Sequence, residues 1–343
     1  MILVAGHACL DLIPELTTAL PPPGGLVGAG GLTFSPGGVV SNTGLALHRL
    51  GLAVRLLARV GDDLLGGCLR SLYDTATGGG GGGSLRTVPG QPTSYSVVLS
   101  PPGEDRRFLH CPGVNATFSD ADVTPDDLQG CRHLHVGYPT VMPGLYADGG
   151  RPLERLFRAA RQAGLTTSLD LCFPDADGLR VDWPAVFARV LPWVDLFVPS
   201  IEETRACLRV EAGSLDATAD RLAERLLAWG AAAVLIKQGD AGVLLRTAPG
   251  ATRRGLPPGW DDVRMTQPCY RVRVVGTTGS GDTTVAGLLA AVELGLPARE
   301  ALRLACGVGA CCCERADATS GIPSLETVQR RIAQGWPMLG TEG

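Results

Sequence analysis

Two kinds of segment alternate along the second half of the chain, and this alternation limits the possible folds more than any other feature of the sequence. Short apolar runs from His133 to Gly137, Thr166 to Cys172, Leu196 to Pro199 and Ala232 to Lys237 are typical of buried strands. Between them lie helical segments such as Arg151 to Gly164, which has one apolar face and a terminating glycine. The alternation predicts an α/β fold, with a doubly wound, mostly parallel sheet between two layers of helices.

Several polar side chains follow the predicted strands directly. Ligands of parallel sheets bind beyond the carboxyl ends of the strands. Asp11 follows the first predicted strand, Ile2 to Gly6, and Tyr138, Asp170 and Asp282 lie at or just past the ends of later ones. We therefore expect these four residues to lie on one rim of the sheet.

A glycine-rich turn leads into a predicted buried helix. Val272 to Val275 predicts a strand, Gly276 to Gly281 predicts a tight turn, and Asp282 opens the apolar helical segment. Glycines let a ligand approach the backbone, and the free N–H groups of a helix start attract an anion. An acid there would repel a phosphate, but it could take the proton of an acceptor hydroxyl. The turn thus fits phosphoryl transfer; the alternative is an ordinary connection in which Asp282 caps the helix.

This turn resembles the second signature of the ribokinase-like sugar kinases of the phosphofructokinase B type, usually DTTGAGD. The resemblance implies that Asp282 is the catalytic base and that the amides of Gly279, Ser280 and Gly281 form the anion hole. Gly276 replaces the family's first Asp, which helps to bind an activating monovalent cation in several members. Dependence on potassium is therefore left open.

The segment Ser35 to Asn42 resembles the first signature of the same family, two glycines followed by an Asn and a helix. The resemblance implies that Gly37, Gly38 and Asn42 hold the sugar and that Asp11 accepts hydrogen bonds from two of its hydroxyls; Tyr138 and Asp170 are further candidates for substrate binding. A carboxylate can accept two donors at once, which suits a polyol. The alternatives are a helix N-cap for Asn42 and a solvated loop acid for Asp11.

Two further segments resemble nucleotide and magnesium motifs of the family. Ser200 to Glu203 is similar to NxxE, with Ser in place of Asn, which implies that Glu203 helps to hold Mg²⁺ through water. Its alternative is a helix N-terminal acid. Lys237 to Gly242 resembles the ATP-binding turn, and Cys306 to Gly321 resembles the final helix and loop beside the adenine. The candidate ATP-binding residues are Lys237, Gly239, Gly242, Thr277, Gly279, Gly281 and Cys306.

The family resemblance also implies a small lid sheet inserted in a single domain, residues 1–343. Its segments are expected at about 12–34 and 92–112, where Thr93 to Ser100 and Arg107 to His110 predict a hairpin. Such a lid covers the sugar and often pairs with a second subunit, so a homodimer is a possible assembly. Arg106, Arg107 and His110 are the basic residues that could contact a phosphorylated substrate, whereas the run Gly78 to Gly83 predicts a flexible loop.

Composition excludes several other functions. The net charge is −4 and no basic run occurs, so no nucleic-acid or membrane surface is expected. Lys237 is the only lysine and does not follow a P-loop glycine pattern. The eleven cysteines have apolar neighbours and predict reduced thiols, and no signal or membrane-spanning segment is evident, so we expect a cytoplasmic protein.

The sequence thus predicts an ATP-dependent kinase with Mg²⁺ that phosphorylates a hydroxymethyl group of a sugar or sugar-like polyol. One alternative is a nucleoside kinase of the same fold, in which the lid and Tyr138 would stack a base. Another is a non-catalytic sensor of sugar or nucleotide. A nicotinamide-dependent dehydrogenase is disfavoured because Gly6 to Asp11 lacks the GxGxxG pattern.

Overall fold

A large twisted sheet forms the centre of the molecule. The computed structural model describes residues 1–104 and 107–340. The strands are β1 Ile2–Gly6, β2 Cys9–Pro14, β3 Leu32–Gly37, β4 Val54–Gly61, β5 Leu85–Val88, β6 Tyr95–Leu99, β7 Arg107–Cys111, β8 His133–Gly137, β9 Thr166–Asp170, β10 Leu196–Phe197, β11 Ala233–Lys237, β12 Val243–Thr247 and β13 Arg264–Gln267. Within the described ranges the large sheet has nine strands, in the order β13-β12-β11-β10-β9-β8-β1-β4-β5.

Neighbouring strands from β11 to β5 run parallel, and only β12 and β13 are added antiparallel at one edge. Side chains of a strand alternate between the two faces of the sheet. In β1, accordingly, Ile2 and Val4 join one apolar cluster, and Leu3 and Ala5 join the other. A strand that is apolar on both faces belongs in a sheet with both faces covered, as the apolar runs predict.

Helices cover both faces of the sheet and complete three layers. The helices are α1 Val39–Arg49, α2 Leu64–Thr77, α3 Pro125–Leu128, α4 Pro143–Gln162, α5 Trp183–Val190, α6 Ile201–Leu208, α7 Ala219–Ala228, α8 Ser280–Glu293, α9 Ala298–Cys313 and α10 Leu325–Ala333. Residues of α1, α2 and α8 to α10 share the cluster of Ile2, whereas those of α4 to α7 share the cluster of Leu3. The predicted fold class is confirmed. In the described part of the chain, none of the helices is long and apolar enough to cross a membrane.

A second, smaller sheet, here called the lid, has the strand order β3-β2-β6-β7. The predicted hairpin is present as β6 and β7, which pair antiparallel. Asp11 pairs with Ser96, and Ser96 pairs with His110, so these three polar side chains share one face. Arg106, a predicted contact for a phosphorylated substrate, lies outside the described residues.

The predicted strand from Val272 to Val275 is wrong. The segment is irregular, with Val274 and Val275 more than half exposed, and its recorded backbone bonds run from Arg271 N to Pro337 O and from Val275 N to Cys313 O. Pro268 follows β13 directly and cannot donate to a ladder. The β-branched residues favoured a strand. The carbonyl that accepts the amide of Val275 belongs to Cys313 at the end of α9, so this bond joins the segment to a helix and not to a neighbouring strand.

The run from Gly78 to Gly83 is not the open flexible loop that its composition predicts. Gly78 ends α2 in the left-handed conformation, at φ 74°, and Gly81 begins a 3₁₀ turn. Asp74 accepts the amide of Gly82 at 2.8 Å, and Arg70 donates to the carbonyl of Gly82 at 2.6 Å. Side chains of the preceding helix thus hold the backbone of the run at Gly82, whereas Gly78 to Gly80 and Gly83 are exposed.

Candidate active site

The glycine-rich turn places the start of α8 at the rim of the sheet. Gly279 precedes the helix with φ 74°, and a Cβ atom there would lie 2.4 Å from Cβ of Ala318. Both the backbone conformation and the packing therefore require glycine. The amide of Ser280 is already bonded to the carbonyl of Thr277, at 3.2 Å. In the described structure no backbone carbonyl outside the helix accepts the amides of Gly281 and Asp282, which leaves them as anion donors.

Asp282 is the third residue of α8 and lies three residues after the N-cap, Gly279, so the alternative of a helix cap does not apply. Its carboxylate accepts Nδ2 of Asn42 at 3.0 Å and the hydroxyl of Tyr138 at 2.8 Å to each oxygen. The residue is 6% exposed. Burial raises the pKa of Asp282, and the ammonium of Lys237 and the bonds from Tyr138 and Asn42 oppose that rise. The carboxylate is thus held between α1 and β8 and does not cap its own helix.

Helix α1 supplies Asn42 and begins at the two predicted sugar-binding glycines. Gly38 is the N-cap, with φ 85°, and a Cβ atom there would lie 2.5 Å from Nδ1 of His7. A Cβ atom on Gly37 would lie 2.3 Å from Oδ2 of Asp11. Both positions therefore exclude larger residues. Asn42 lies inside the helix, so the alternative of an N-cap does not apply, and its amide is free to reach Asp282.

Asp11 lies beyond the end of β1, as the sequence predicts, and within strand β2 of the lid. Its Oδ1 accepts a bond from Sγ of Cys9 at 3.4 Å. Burial raises the pKa of Asp11 to about 6; the bonds from Cys9 and Ser96 oppose this, and the negative charge of Asp282 adds to it. The charge of Asp282 thus acts on Asp11, and the carboxylate of Asp11 packs against Gly37 at the start of α1.

Lys237, at the end of β11, forms a buried ion pair with Asp170. The distance from Nζ to Oδ1 of Asp170 is 2.8 Å, and the same oxygen accepts the amide of Leu171 at 2.8 Å. Burial opposes the charge of Lys237, but Asp170, Glu203 and Asp282 together raise its pKa. Asp170 is fully buried behind the lysine, so its position favours holding Lys237 over the predicted contact with substrate.

Glu203 makes the reciprocal contacts of a capping box at the start of α6. Its Oε2 accepts the amide of Ser200 at 2.7 Å, and Oγ of Ser200 accepts the amide of Glu203 at 3.1 Å. The serine that replaces the family's Asn therefore builds the cap. The influence of Lys237 and Asp282 on the pKa of Glu203 shows that this carboxylate also belongs to the charged cluster at the site.

A cavity of about 270 Å³ adjoins the start of α8 and the end of β11. It is lined mainly by apolar atoms, which suits the flat ring of a nucleotide base. Six of the predicted ATP-binding residues lie on its wall: Lys237, Gly239, Gly242, Thr277, Gly281 and Cys306. Gly279 is not on the wall. Tyr270, Val272, Val274 and Leu339 also line it, and sequence reasoning missed them.

Two histidines at the sugar side were not predicted together. His7 Nε2 lies 3.4 Å from His110 Nε2, and Nδ1 of His110 lies 3.0 Å from the hydroxyl of Ser96. Burial, with a smaller contribution from His110, lowers the pKa of His7 to about 3, so His7 is neutral at physiological pH. His7 directly follows β1, and the rule that ligands bind past strand ends would have found it.

Comparisons with known proteins identify the family of this chain. The model of the pfkB family of carbohydrate kinases matches residues 1–325. The chain belongs to the pfkB family of carbohydrate kinases. It is accordingly a phosphotransferase with an alcohol group as acceptor.

Two curated relatives and one solved structure illustrate the similarity of this pfkB kinase to others. It is 27% identical to a fructokinase of Rhizobium leguminosarum bv. trifolii, covering 86% of this chain and 80% of the relative. It is 28% identical to a 2-dehydro-3-deoxygluconokinase of Bacillus subtilis, covering 86% of each chain. A ribokinase of Arabidopsis thaliana, solved with ribose and ATP, superposes with a TM-score of 0.74 at 20% identity, covering 96% of this chain and 97% of that one.

Proposed function

We propose that this pfkB kinase transfers the γ-phosphoryl group of ATP to a hydroxymethyl group of a sugar or sugar-like polyol. The observation that carries the proposal is the position of Asp282, whose carboxylate is bonded to Asn42 and influences the pKa of both Asp11 and Lys237. One acid thus lies between a polar cleft suited to hydroxyl groups and a cavity suited to a nucleotide.

The polar cleft supplies the contacts for the acceptor. Asp11, when ionised, accepts hydrogen bonds from two hydroxyl groups. Gly37 and Gly38 allow the sugar to lie against the start of α1, and Asn42 supplies an amide whose Oδ1 is buried without a hydrogen-bond partner in the described structure. A substrate hydroxyl would satisfy that oxygen, since buried polar atoms are normally hydrogen-bonded.

The start of α8 supplies the catalytic groups. Asp282 accepts the proton of the acceptor hydroxyl as the hydroxyl oxygen attacks the γ-phosphorus. The amides of Gly281 and Asp282, with that of Gly279 as a further candidate, stabilise charge on the phosphoryl oxygens, whereas the predicted amide of Ser280 is bonded to the carbonyl of Thr277. A Cβ atom on Gly281 would lie 3.5 Å from Nζ of Lys237, so the ammonium lies beside these amides and adds positive charge there.

Glu203 is the candidate ligand for Mg²⁺. One of its oxygens accepts the amide of Ser200, and the other, Oε1, makes no hydrogen bond recorded within residues 1–104 and 107–340. A half-buried carboxylate with one free oxygen beside the charged cluster fits a cation that keeps several waters. When bound, Mg²⁺ would neutralise charge on the ATP phosphates.

The monovalent-cation motif of the family is incomplete in this chain. Gly276 supplies no carboxylate. A Cβ atom at this position would lie 3.0 Å from the carbonyl oxygen of Arg315, so the backbone is closely packed there. We therefore expect turnover without potassium.

The proposal also includes a cytoplasmic location, a small-molecule acceptor and no nucleic-acid or membrane partner.

A substrate panel tests the proposal. Ribose, fructose, 2-keto-3-deoxygluconate and adenosine are each supplied with Mg²⁺ and ATP, with potassium or with tetramethylammonium, and ADP release is measured. A sugar should give turnover in both salts. Preference for adenosine would support the nucleoside kinase, and binding without ADP release for any acceptor would support a sensor and contradict the proposal.

Asp282→Asn tests the base. The amide cannot accept the proton, so kcat should fall by about 10²–10⁴-fold, the usual contribution of a general base, while ATP still binds. Calorimetric titration with ATP checks the binding, and Asp216→Asn, on an exposed turn, is the matched control. Retained turnover in Asp282→Asn would overturn the assignment.

A further inference from the structure

Tyr138 adopts a backbone conformation that is costly for an aromatic residue. It directly follows β8 and has φ 65° and ψ 34°, in the left-handed region. Side chains other than glycine, asparagine and aspartate are uncommon there, and such strain persists only where the surrounding structure enforces it. Its amide donates to the carbonyl of Asp170 at 3.1 Å, and its carbonyl accepts the amide of Val141 at 3.2 Å. The strained turn aims the ring at the start of α8.

The hydroxyl of Tyr138 contacts the carboxylate of Asp282 symmetrically. It lies 2.8 Å from Oδ1 and 2.8 Å from Oδ2. Oδ2 also accepts Nδ2 of Asn42, at 3.0 Å, whereas Tyr138 is the only recorded donor to Oδ1 within the described residues. The two oxygens are therefore not equivalent, because Oδ1 retains more capacity to accept a further hydrogen bond.

We propose that Tyr138 is a positioning residue that orients the catalytic carboxylate of Asp282, keeps it ionised and leaves Oδ1 as the atom that receives the substrate proton. This inference rests on the proposed kinase function. In the step, the O–H bond of the acceptor breaks and its proton passes to Oδ1 of Asp282. The oxygen forms a bond to the γ-phosphorus, the bond from that phosphorus to the bridging oxygen breaks, and ADP leaves.

Tyr138 keeps its own proton throughout this step. Burial, together with the charge of Asp282, raises the pKa of Tyr138 well above its usual value, so the phenol is a donor at any working pH. A hydrogen bond to a carboxylate favours the ionised form of the acid. Removal of that bond should therefore raise the pKa of Asp282 in the complex with substrates. The fall of kcat at low pH, here called the acid limb of the pH profile, should then move to higher pH.

Tyr138→Phe, measured beside the wild type at saturating ATP and sugar from pH 5 to 9, tests the inference. One hydrogen bond to a charged group corresponds to a displacement of the acid limb by about one pH unit toward higher pH. Well down the acid limb kcat at a fixed pH should fall by about tenfold, the sugar KM should change by less than about twofold, and kcat should recover toward pH 9. Tyr146→Phe, whose ring packs edge-on against Trp183, is the matched control.

A second substitution at the same position tests the direction. Incorporation of 3,5-difluorotyrosine makes the phenol a stronger donor without removing it, and the acid limb should move toward lower pH. An acid limb that stays fixed in both variants would overturn the inference, and a raised sugar KM with a fixed limb would identify Tyr138 as a sugar contact. If the wild type releases no ADP with any acceptor, the proposed function fails and the inference fails with it.

Discussion

At the scale of single residues, the site concentrates acids around one ammonium group. Asp170, Glu203 and Asp282 all raise the pKa of Lys237, and Asp170 holds it directly. Lys237 is the only lysine of the chain, and its burial commits it to this cluster. Burial raises the pKa of all three acids, and the ammonium of Lys237 opposes that rise, so the lysine favours their ionised forms. The role predicted for Lys237 beside a phosphate and its observed pairing are compatible, because the ammonium also lies beside Gly281.

The pKa of Asp11 predicts a pH dependence of sugar binding. The carboxyl has a pKa of about 6, so a fall in pH through this value protonates Asp11 and removes its capacity to accept two hydroxyl groups. The kcat/KM for the sugar should therefore fall about tenfold per pH unit below pH 6, while the KM for ATP stays constant.

Steady-state kinetics from pH 4.5 to 8 check this dependence, and circular dichroism confirms folding at each pH. Asp11→Asn should show a raised sugar KM at every pH and lose the inflection near pH 6. An inflection near pH 6 that persists in Asp11→Asn would assign the titration to a different group.

The role of a single residue could be predicted where the local sequence determines it. It could not be predicted where a partner distant in sequence determines it. Gly37 and Gly38 stand where a Cβ atom would collide with Asp11 and His7, and short motifs encode such requirements. Nothing in the local sequence around Tyr138 or Asp170 says that one bonds to Asp282 and the other to Lys237, which lie 144 and 67 residues away. These pairings exist only after the sheet has formed.

At the scale of elements, the segment from Trp336 to Leu339 places Leu339 on the wall of the cavity beside α8. Met338 pairs with Tyr270 in an isolated antiparallel bridge, and the amide of Leu339 donates to the carbonyl of Cys269 at 2.8 Å. The ring of Trp336 stacks on Tyr270 with centroids 4.7 Å apart. These contacts bring Leu339 onto the cavity wall.

Leu339→Ala should weaken ATP binding selectively. The side chain is 39% exposed, so truncation removes part of an apolar wall worth about 1 kcal/mol, which corresponds to about fivefold in affinity. The KM for ATP should rise by about that factor, with kcat and the sugar KM unchanged. Leu215→Ala, at a position that is 87% exposed on a distant turn, is the control. An unchanged KM for ATP in Leu339→Ala would show that the segment does not contact the nucleotide.

Sequence reasoning missed this element for a physical reason. The family match ends at residue 325, and Trp336 to Leu339 lies beyond it. A single bridge of backbone hydrogen bonds leaves no periodic pattern, because alternation needs several residues on one face to appear. The same reasoning explains the wrong strand at Val272 to Val275, where composition favoured a strand and no partner strand was adjacent.

At the scale of the whole molecule, the lid joins two surfaces with opposite character. One face carries the polar side chains of Asp11, Ser96 and His110. The opposite face carries a row of apolar side chains in register across all four strands: Phe34, Leu12, Val97 and Leu109. Phe34 is 44% exposed and Leu109 is 61% exposed. A contiguous apolar row on a sheet surface is a candidate for contact with a second subunit.

We therefore predict a homodimer through the lid. Phe34→Asp or Leu109→Asp would place a carboxylate in the apolar contact at a cost on the order of several kcal/mol, and should convert the dimer to a monomer. Sedimentation velocity measures the change. Leu215→Asp, with equal charge on a distant exposed turn, should leave the dimer intact. A monomeric wild type, or a dimer in both lid variants, would contradict this assembly.

The sequence by itself determined the parallel sheet, the two layers of helices and the glycine-rich helix start with its acid. Each of these depends on a local pattern: the period of apolar residues, the freedom of glycine, and the dipole at a helix terminus. Tertiary structure alone decided which groups bond to Asp282, which carboxylate holds Lys237, and how Leu339 comes to line the cavity beside α8. These contacts join residues that are distant in sequence, and only the packed sheet brings them within hydrogen-bond distance.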